Sequence, residues 1–209
     1  MPNLRRGMMG AAGASAGAAG YVTWGMGQNS INHNHLADGT VIDRSSPVVV
    51  GTTSGPVWRA LTYFSSGGGA NATGNISSSN ELFMWGAGVD GSLGNGLGGE
   101  ITGSSSPLQI GALTDWAVLG TGNDRSIALK KDGSIWSWGK ASTGFLGHGD
   151  VVNVSSPVQV GSLTDWAKVQ TGSENWAAIK TDGTLWVCGA NTNGQCGLGD
   201  ALNRSSPTQ

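Results

Sequence analysis

The stretch SSPLQIGALTDWAVLGTG at 105–122 returns almost unchanged as SSPVQVGSLTDWAKVQTG at 155–172, and that recurrence decides the fold. Repetition at a fixed period outranks any single motif, because it marks one supersecondary unit stacked on copies of itself. Working outward, Ser-Ser-Pro occurs at 45–47, 105–107, 155–157 and 205–207, so Pro47, Pro107, Pro157 and Pro207 lie 60, 50 and 50 residues apart. Other landmarks keep the phase. Thr-Asp-Trp stands at 114–116 and 164–166, with Pro56-Val57-Trp58 in the earlier unit. Trp-Gly stands at 24–25, 85–86 and 138–139, with Cys188-Gly189 in the fourth place.

Within a unit the local chemistry specifies strands. Residues 127–130 alternate apolar with small or polar, Lys131-Asp132-Gly133 turns the chain, and 134–138 alternates again, which reads as a β-hairpin. Gly133 and Gly183 supply the positive φ such a turn needs, and Asn80, the non-Gly residue that best tolerates it, falls in the same place. Residues 108–110 and 117–119 add further short strands. Trp136, Trp186 and Phe83 share one hairpin position, and Trp138, Trp85 and Trp24 the next aromatic one. Short strands in tandem at a period near 50 predict an all-β chain of β-propeller blades whose Trp and aliphatic side chains fill the blade interfaces.

Composition agrees and removes whole classes of function. There are 37 Gly and nine Trp in 209 residues and only 11% charged residues, which suits closely spaced turns around a Trp-rich core rather than long helices. A net charge of -2 and a pI near 5.8 offer no basic footprint for nucleic acid. No apolar run approaches the ~20 residues of a membrane-spanning helix.

The segment AAIKTDGTLWV at 177–187 followed by CGANTNGQCGLGD at 188–200 resembles the repeat of the regulator of chromosome condensation family, whose usual form has Trp at Cys188 and Leu at Cys196. The resemblance extends over residues 21–209, strong in the last two units, fair around Trp85 and weak around Trp24, where INHNHLADGT replaces the Gly-Leu-Gly rhythm. It implies a β-propeller, seven-bladed in its complete form. About three and a half units are present, a partial ring of three to four blades, and the phase stops mid-unit at Gln209. Either further repeats follow, or partner chains complete the ring. Residues 1–20, MPNLRRGMMGAAGASAGAAG, read instead as a flexible Gly/Ala-rich arm, in which Arg5, Arg6, Met8 and Met9 are the expected partner anchors.

Candidate chemical sites reduce to architecture when set against the repeat. Gly86-x-Gly88-x-x-Gly91 has dinucleotide-loop spacing, but the pattern predicts no helix after it. His33 and His35 are two ligands at most, too few for a metal site. Cys188 and Cys196 occupy core positions, and each Asp of the pairs 132/182, 115/165 and 150/200 recurs once per unit. No catalytic, metal or cofactor site is therefore expected, and binding is sought where units break pattern. These places are Phe64 and Asn71 in the insertion, His33 and His35 in the loop 28–40, and Trp176, whose counterpart is Ser126. Trp176 reads either as an exposed binding anchor or as core.

A non-enzymatic structural or adhesive propeller follows, placed in a bacteriophage virion by its uncharged Gly/Ser/Asn/Thr-rich surface, its near-identical units and its short basic arm. Its expected partners are other virion proteins, further copies of itself or a host-surface glycan, with neither nucleic acid nor membrane. Two alternatives stand beside it. One is an exported bacterial carbohydrate- or protein-binding propeller; the other, implied by the resemblance, is a nucleotide-exchange regulator of a GTPase, cytoplasmic in a bacterium.

Overall fold

The computed structural model describes residues 24–27, 36–42, 44–49, 56–59, 72–98 and 103–209. Thirteen strands are defined among them: β1 (Trp24–Gly27), β2 (Arg44–Val49), β3 (Ala72–Ile76), β4 (Leu82–Gly86), β5 (Ser104–Gln109), β6 (Trp116–Gly122), β7 (Arg125–Lys130), β8 (Ile135–Gly139), β9 (Val154–Gln159), β10 (Trp166–Thr171), β11 (Asn175–Lys180), β12 (Leu185–Gly189) and β13 (Arg204–Thr208). They form antiparallel sheets in the orders β1-β2, β3-β4-β5, β6-β7-β8-β9 and β10-β11-β12-β13. Each sheet is a meander, as expected of propeller blades. In the second blade the Trp58–Ser77 bridge stands where β6 and β10 stand in the third and fourth. The expectation of an all-β propeller is therefore met. Dinucleotide-like Gly86-x-Gly88-x-x-Gly91 leads only into a three-residue 3-10 turn, Val89–Gly91.

Pairing with the Ser-Ser-Pro strand fixes the frame of every unit, and it corrects one sequence alignment. Trp24 pairs with Val49 as Phe83 pairs with Gln109 and Trp136 with Gln159, while Gly27 pairs with Arg44 as Gly86, Gly139 and Gly189 pair with Ser104, Val154 and Arg204. Trp24 thus belongs with Phe83 and Trp136, and Met26-Gly27 takes the Trp-Gly place. The sequence WGMG fits either frame, because a two-residue slip along a strand keeps every side chain on its face.

Neighbouring blades meet through their early strands, β6 on β3 and β10 on β6 and β7. Two backbone hydrogen bonds recur at the junctions. The N–H of Gly39, Gly96 and Gly149 donates to the carbonyl of Ser105, Ser155 and Ser205 respectively, at 2.9, 2.8 and 2.7 Å. The Trp116 and Trp166 N–H groups reach back to the turn carbonyls of Asn80 and Gly133, at 3.2 and 3.1 Å. The Ser-Ser-Pro signature is therefore a docking strand, with its first Ser carbonyl facing the preceding blade and its Pro presenting no N–H at the sheet edge.

The hairpin turns follow the sequence reading. Gly133, Gly183 and Asn80 have φ of +83°, +85° and +64°, and Ser134 and Thr184 donate both backbone and side-chain hydrogen bonds to Asp132 and Asp182. Those bonds hold both carboxyl groups below the usual carboxylate range.

Candidate functional site

In the third and fourth blades a Trp is placed by the blade before it. In the third blade, Trp138 on β8 lies opposite Ser126 on β7, and its indole N–H donates 3.0 Å to the Ser92 carbonyl in the second blade's loop. In the fourth blade the pair is exchanged across the strands: Trp176 on β11 lies opposite Cys188 on β12, and the Trp176 indole donates to the Phe145 carbonyl at 2.6 Å, the same place one repeat later. Gly94 and Gly147 make room for these rings. An added Cβ would come within 2.7 Å of the Trp138 Nε1 and 3.2 Å of Trp176, respectively.

Trp176 is accordingly 2% exposed and part of the core, which corrects its reading as an exposed anchor. Its pattern break marks a compensated packing exchange and not a binding loop. Phe64, Asn71, His33, His35, Arg5, Arg6, Met8 and Met9 lie outside the described residues.

Both cysteines are buried fillers. The Cys188 thiol sits at hydrogen-bonding distance from the Gly144 and Arg204 carbonyls, and burial pushes its pKa up to about 12. Burial also raises Cys196. A thiol-selective reagent at pH 8 is therefore expected to leave Cys188 unmodified in the folded chain and to label it after unfolding; rapid native labelling, followed by peptide mapping, would contradict this placement.

The charged repeat residues are used within the fold. Lys130 lies 3.5 Å from the Asp115 carboxylate, with its ammonium 4.9 and 4.2 Å from the Trp116 and Trp136 ring centroids. Lys180 repeats this with Asp165, Trp166 and Trp186 at 3.2, 5.0 and 4.6 Å. Such cation–aromatic clasps explain why Asp-Trp, Lys and Trp recur in phase. Asp150 and Asp200 cap their own loops through the Val152 and Leu202 N–H groups.

At the opposite end of the blades, polar side chains bridge neighbours. Asp90, from the second blade's loop, accepts a 3.1 Å hydrogen bond from Asn153 and pairs with Lys140 at 3.3 Å. Arg125, 2% exposed, donates to the Asn123 carbonyl and Ser142 Oγ, packs on Phe145 and lies 3.9 Å from Glu174 of the fourth blade. Burial lowers its pKa against the opposing pull of Glu174. Sequence reasoning missed Arg125, because one Arg at a strand start carries no signal of what it will reach.

His148 shares a 3.0 Å hydrogen bond with Ser137, and burial pushes its pKa down. Among the described residues no group of three or more His, Cys, Asp or Glu is placed to hold a metal ion. What this geometry defines is a stack of blades joined by backbone hydrogen bonds, with loops between their strands.

Comparison with known proteins places that architecture. The sequence model of the regulator of chromosome condensation (RCC1) repeat matches residues 132–179 and 182–209. Those two stretches carry RCC1 repeats, and the chain is similar to the RCC1 repeat family. The E3 ubiquitin-protein ligase HERC2 of Homo sapiens is 34% identical over 129 residues, 61% of this chain and 2% of that one. The ultraviolet-B receptor UVR8 of Arabidopsis thaliana is 31% identical over 131 residues, 61% of this chain and 27% of that one. Among solved structures, Prp20p of Saccharomyces cerevisiae, described together with its binding properties to Gsp1p and histones, superposes with a TM-score of 0.71 at 20% identity, over 90% of this chain and 45% of that one. The chain thus spans less than a third of these two sequence relatives and under half of the Prp20p chain.

Proposed function

We propose that this chain is a non-enzymatic, protein-binding part of a β-propeller. The observation that carries this reading is that the repeated titratable side chains are spent on the blades themselves: Asp132 and Asp182 on turns, Asp115 and Asp165 on Lys clasps, Asp150 and Asp200 on loop caps, Cys188 in the core. A scaffold built this way contributes shape and loop variety, the attributes of a binding module. The protein binding of Prp20p, a protein of like fold, supports the same reading. For the setting, a bacteriophage virion is the proposal that the uncharged Gly/Ser/Asn/Thr-rich composition and near-identical units favour.

The test is chemical cross-linking of the native protein in its source, followed by purification and mass spectrometry. A protein partner at fixed stoichiometry is expected, and in the virion setting it co-sediments with phage particles. Recovery of uncross-linked chain alone would overturn the binding reading; a partner recovered away from particles would overturn only the setting.

A further inference from the structure

Residues 145–149 of the third blade's loop grip the fourth blade. The Phe145 carbonyl accepts from the Trp176 indole at 2.6 Å, Gly147 leaves room for that ring, and the Gly149 N–H donates to the Ser205 carbonyl at 2.7 Å. The same loop is tied back to β8 through the fully buried Ser137, whose hydroxyl donates to the Leu146 carbonyl at 2.6 Å and lies 3.0 Å from the His148 Nε2. A hydroxyl has one proton, and the Leu146 carbonyl takes it. The imidazole is therefore the donor to Ser137, and its neutral form carries its proton on Nε2. Within 145–149, His148 is the one titratable side chain.

Charging that ring adds a second N–H and a full positive charge at a half-buried place. Burial opposes the charge more strongly than the Val158 backbone hydrogen bond and the Asp150 carboxylate favour it, which holds His148 below the usual imidazole range. The fourth blade offers this loop no counter-charge. It faces residues 145–149 with Ser205, Ser206, Trp176 and the Cys188 thiol, which burial keeps neutral. An imidazolium here gains most by turning toward water, and in doing so it gives up Ser137. The junction between the second and third blades is an internal control. There Ser92 and Gly96 make the equivalent bonds, to the Trp138 indole and the Ser155 carbonyl at 3.0 and 2.8 Å, and the place of His148 belongs to Asn95, which caps the Leu97 N–H and does not titrate.

We propose that His148 makes the junction of the third and fourth blades a proton-sensitive joint, docked while the imidazole is neutral and tied to Ser137, and loosened once the ring is charged. The sign follows from linkage. A group that binds its proton more weakly in the docked state contributes stability that is fully present above its ordinary value of 6.5, and that is lost as pH falls from there through the docked value. The second junction, with Asn95 in that place, carries no such dependence.

The test is a nuclear magnetic resonance titration of the full chain, labelled with nitrogen-15, from about pH 7.5 to about pH 5, a range above that in which ordinary carboxylates titrate. The His148 ring is expected to titrate below 6.5, and the Trp176 indole signal to move with the same midpoint. The Gly149 amide should lose about threefold or more of its exchange protection, corrected for the pH dependence of intrinsic exchange, while the Trp138 indole and the Gly96 amide hold theirs. His148→Asn and His148→Leu, which install the residues found there in the second and fourth blades, are expected to abolish the step at Trp176 and Gly149. A step that persists in either variant, equal changes at the two junctions, or a His148 ring that titrates without moving Trp176 and Gly149 would overturn the proposal. So would a His148 that titrates at or above 6.5.

Discussion

Replacing Trp176 with Ser is expected to destabilise the chain by about 3–5 kcal/mol, the usual cost of emptying a buried Trp site. The indole is buried between the fourth blade and the third blade's loop, and its N–H is the donor for the Phe145 carbonyl. The decisive comparison is with the exchange already present one repeat earlier. Cys188→Trp alone adds a second indole to a filled space and is expected to lose about 1–3 kcal/mol by overpacking. Combined, Trp176→Ser and Cys188→Trp recreate the Ser126/Trp138 arrangement, in which the indole reaches the equivalent carbonyl of Ser92 from the adjacent strand. The double variant should recover most of the loss, giving a coupling of at least about 2 kcal/mol between the two sites in a denaturant-melt double-mutant cycle. Additive losses would show that the two blades do not share one solution to the same packing problem.

The second large effect separates two glycines that the sequence presents as equals. Gly133 and Gly183 have nearly the same positive φ, so Ala at either position carries about 1–2 kcal/mol of left-handed strain. At Gly133, however, the new Cβ runs into the carbonyl oxygen of Thr164 in the next blade, whereas at Gly183 nothing lies within 4 Å among the described residues. Gly133→Ala should therefore cost about 2–5 kcal/mol, strain and steric displacement together, and Gly183→Ala only the strain. Asn80→Gly, at the same turn position with φ of +64°, should change stability by less than about 0.5 kcal/mol, since relief of strain offsets the loss of the exposed Asn80–Arg59 hydrogen bond. Thermal melts of the three variants rank them; equal shifts for the two alanines would mean that the Gly133 turn is not docked on the fourth blade.

Much of the fold was legible in the sequence for a physical reason: strand alternation and Asp-Gly turns are set by neighbours a few residues away, whereas the Ser-Ser-Pro segment, read only as a phase marker, proved to be an edge strand (Ser104–Gln109). The repeats present those local instructions several times over, so the blade and its hairpin could be read from Ile127, Gly133 and Trp138 without any tertiary knowledge. Cys188 and Cys196 as apolar fillers were legible too, because the repeat shows which positions face a core. Even the weak register of WGMG failed in an instructive way, since a slip of two residues leaves the pattern of faces intact and only the partner strand can choose between frames.

What one blade's sequence could not contain is the blade beside it. Ile135 is fully buried while its counterpart Leu185 is 56% exposed, and Leu129 is 5% exposed where Ile179 is 37%, although both hairpins carry the same pattern. Burial at these positions is decided by the adjacent sheet, not by the strand. The same holds for Trp176, which breaks the repeat in sequence yet restores it in space, because the carbonyl it satisfies and the glycine that admits it belong to the preceding blade's loop. Sequence determined the blade and its turns; only packing between blades decided which side chains are core and which remain at the surface.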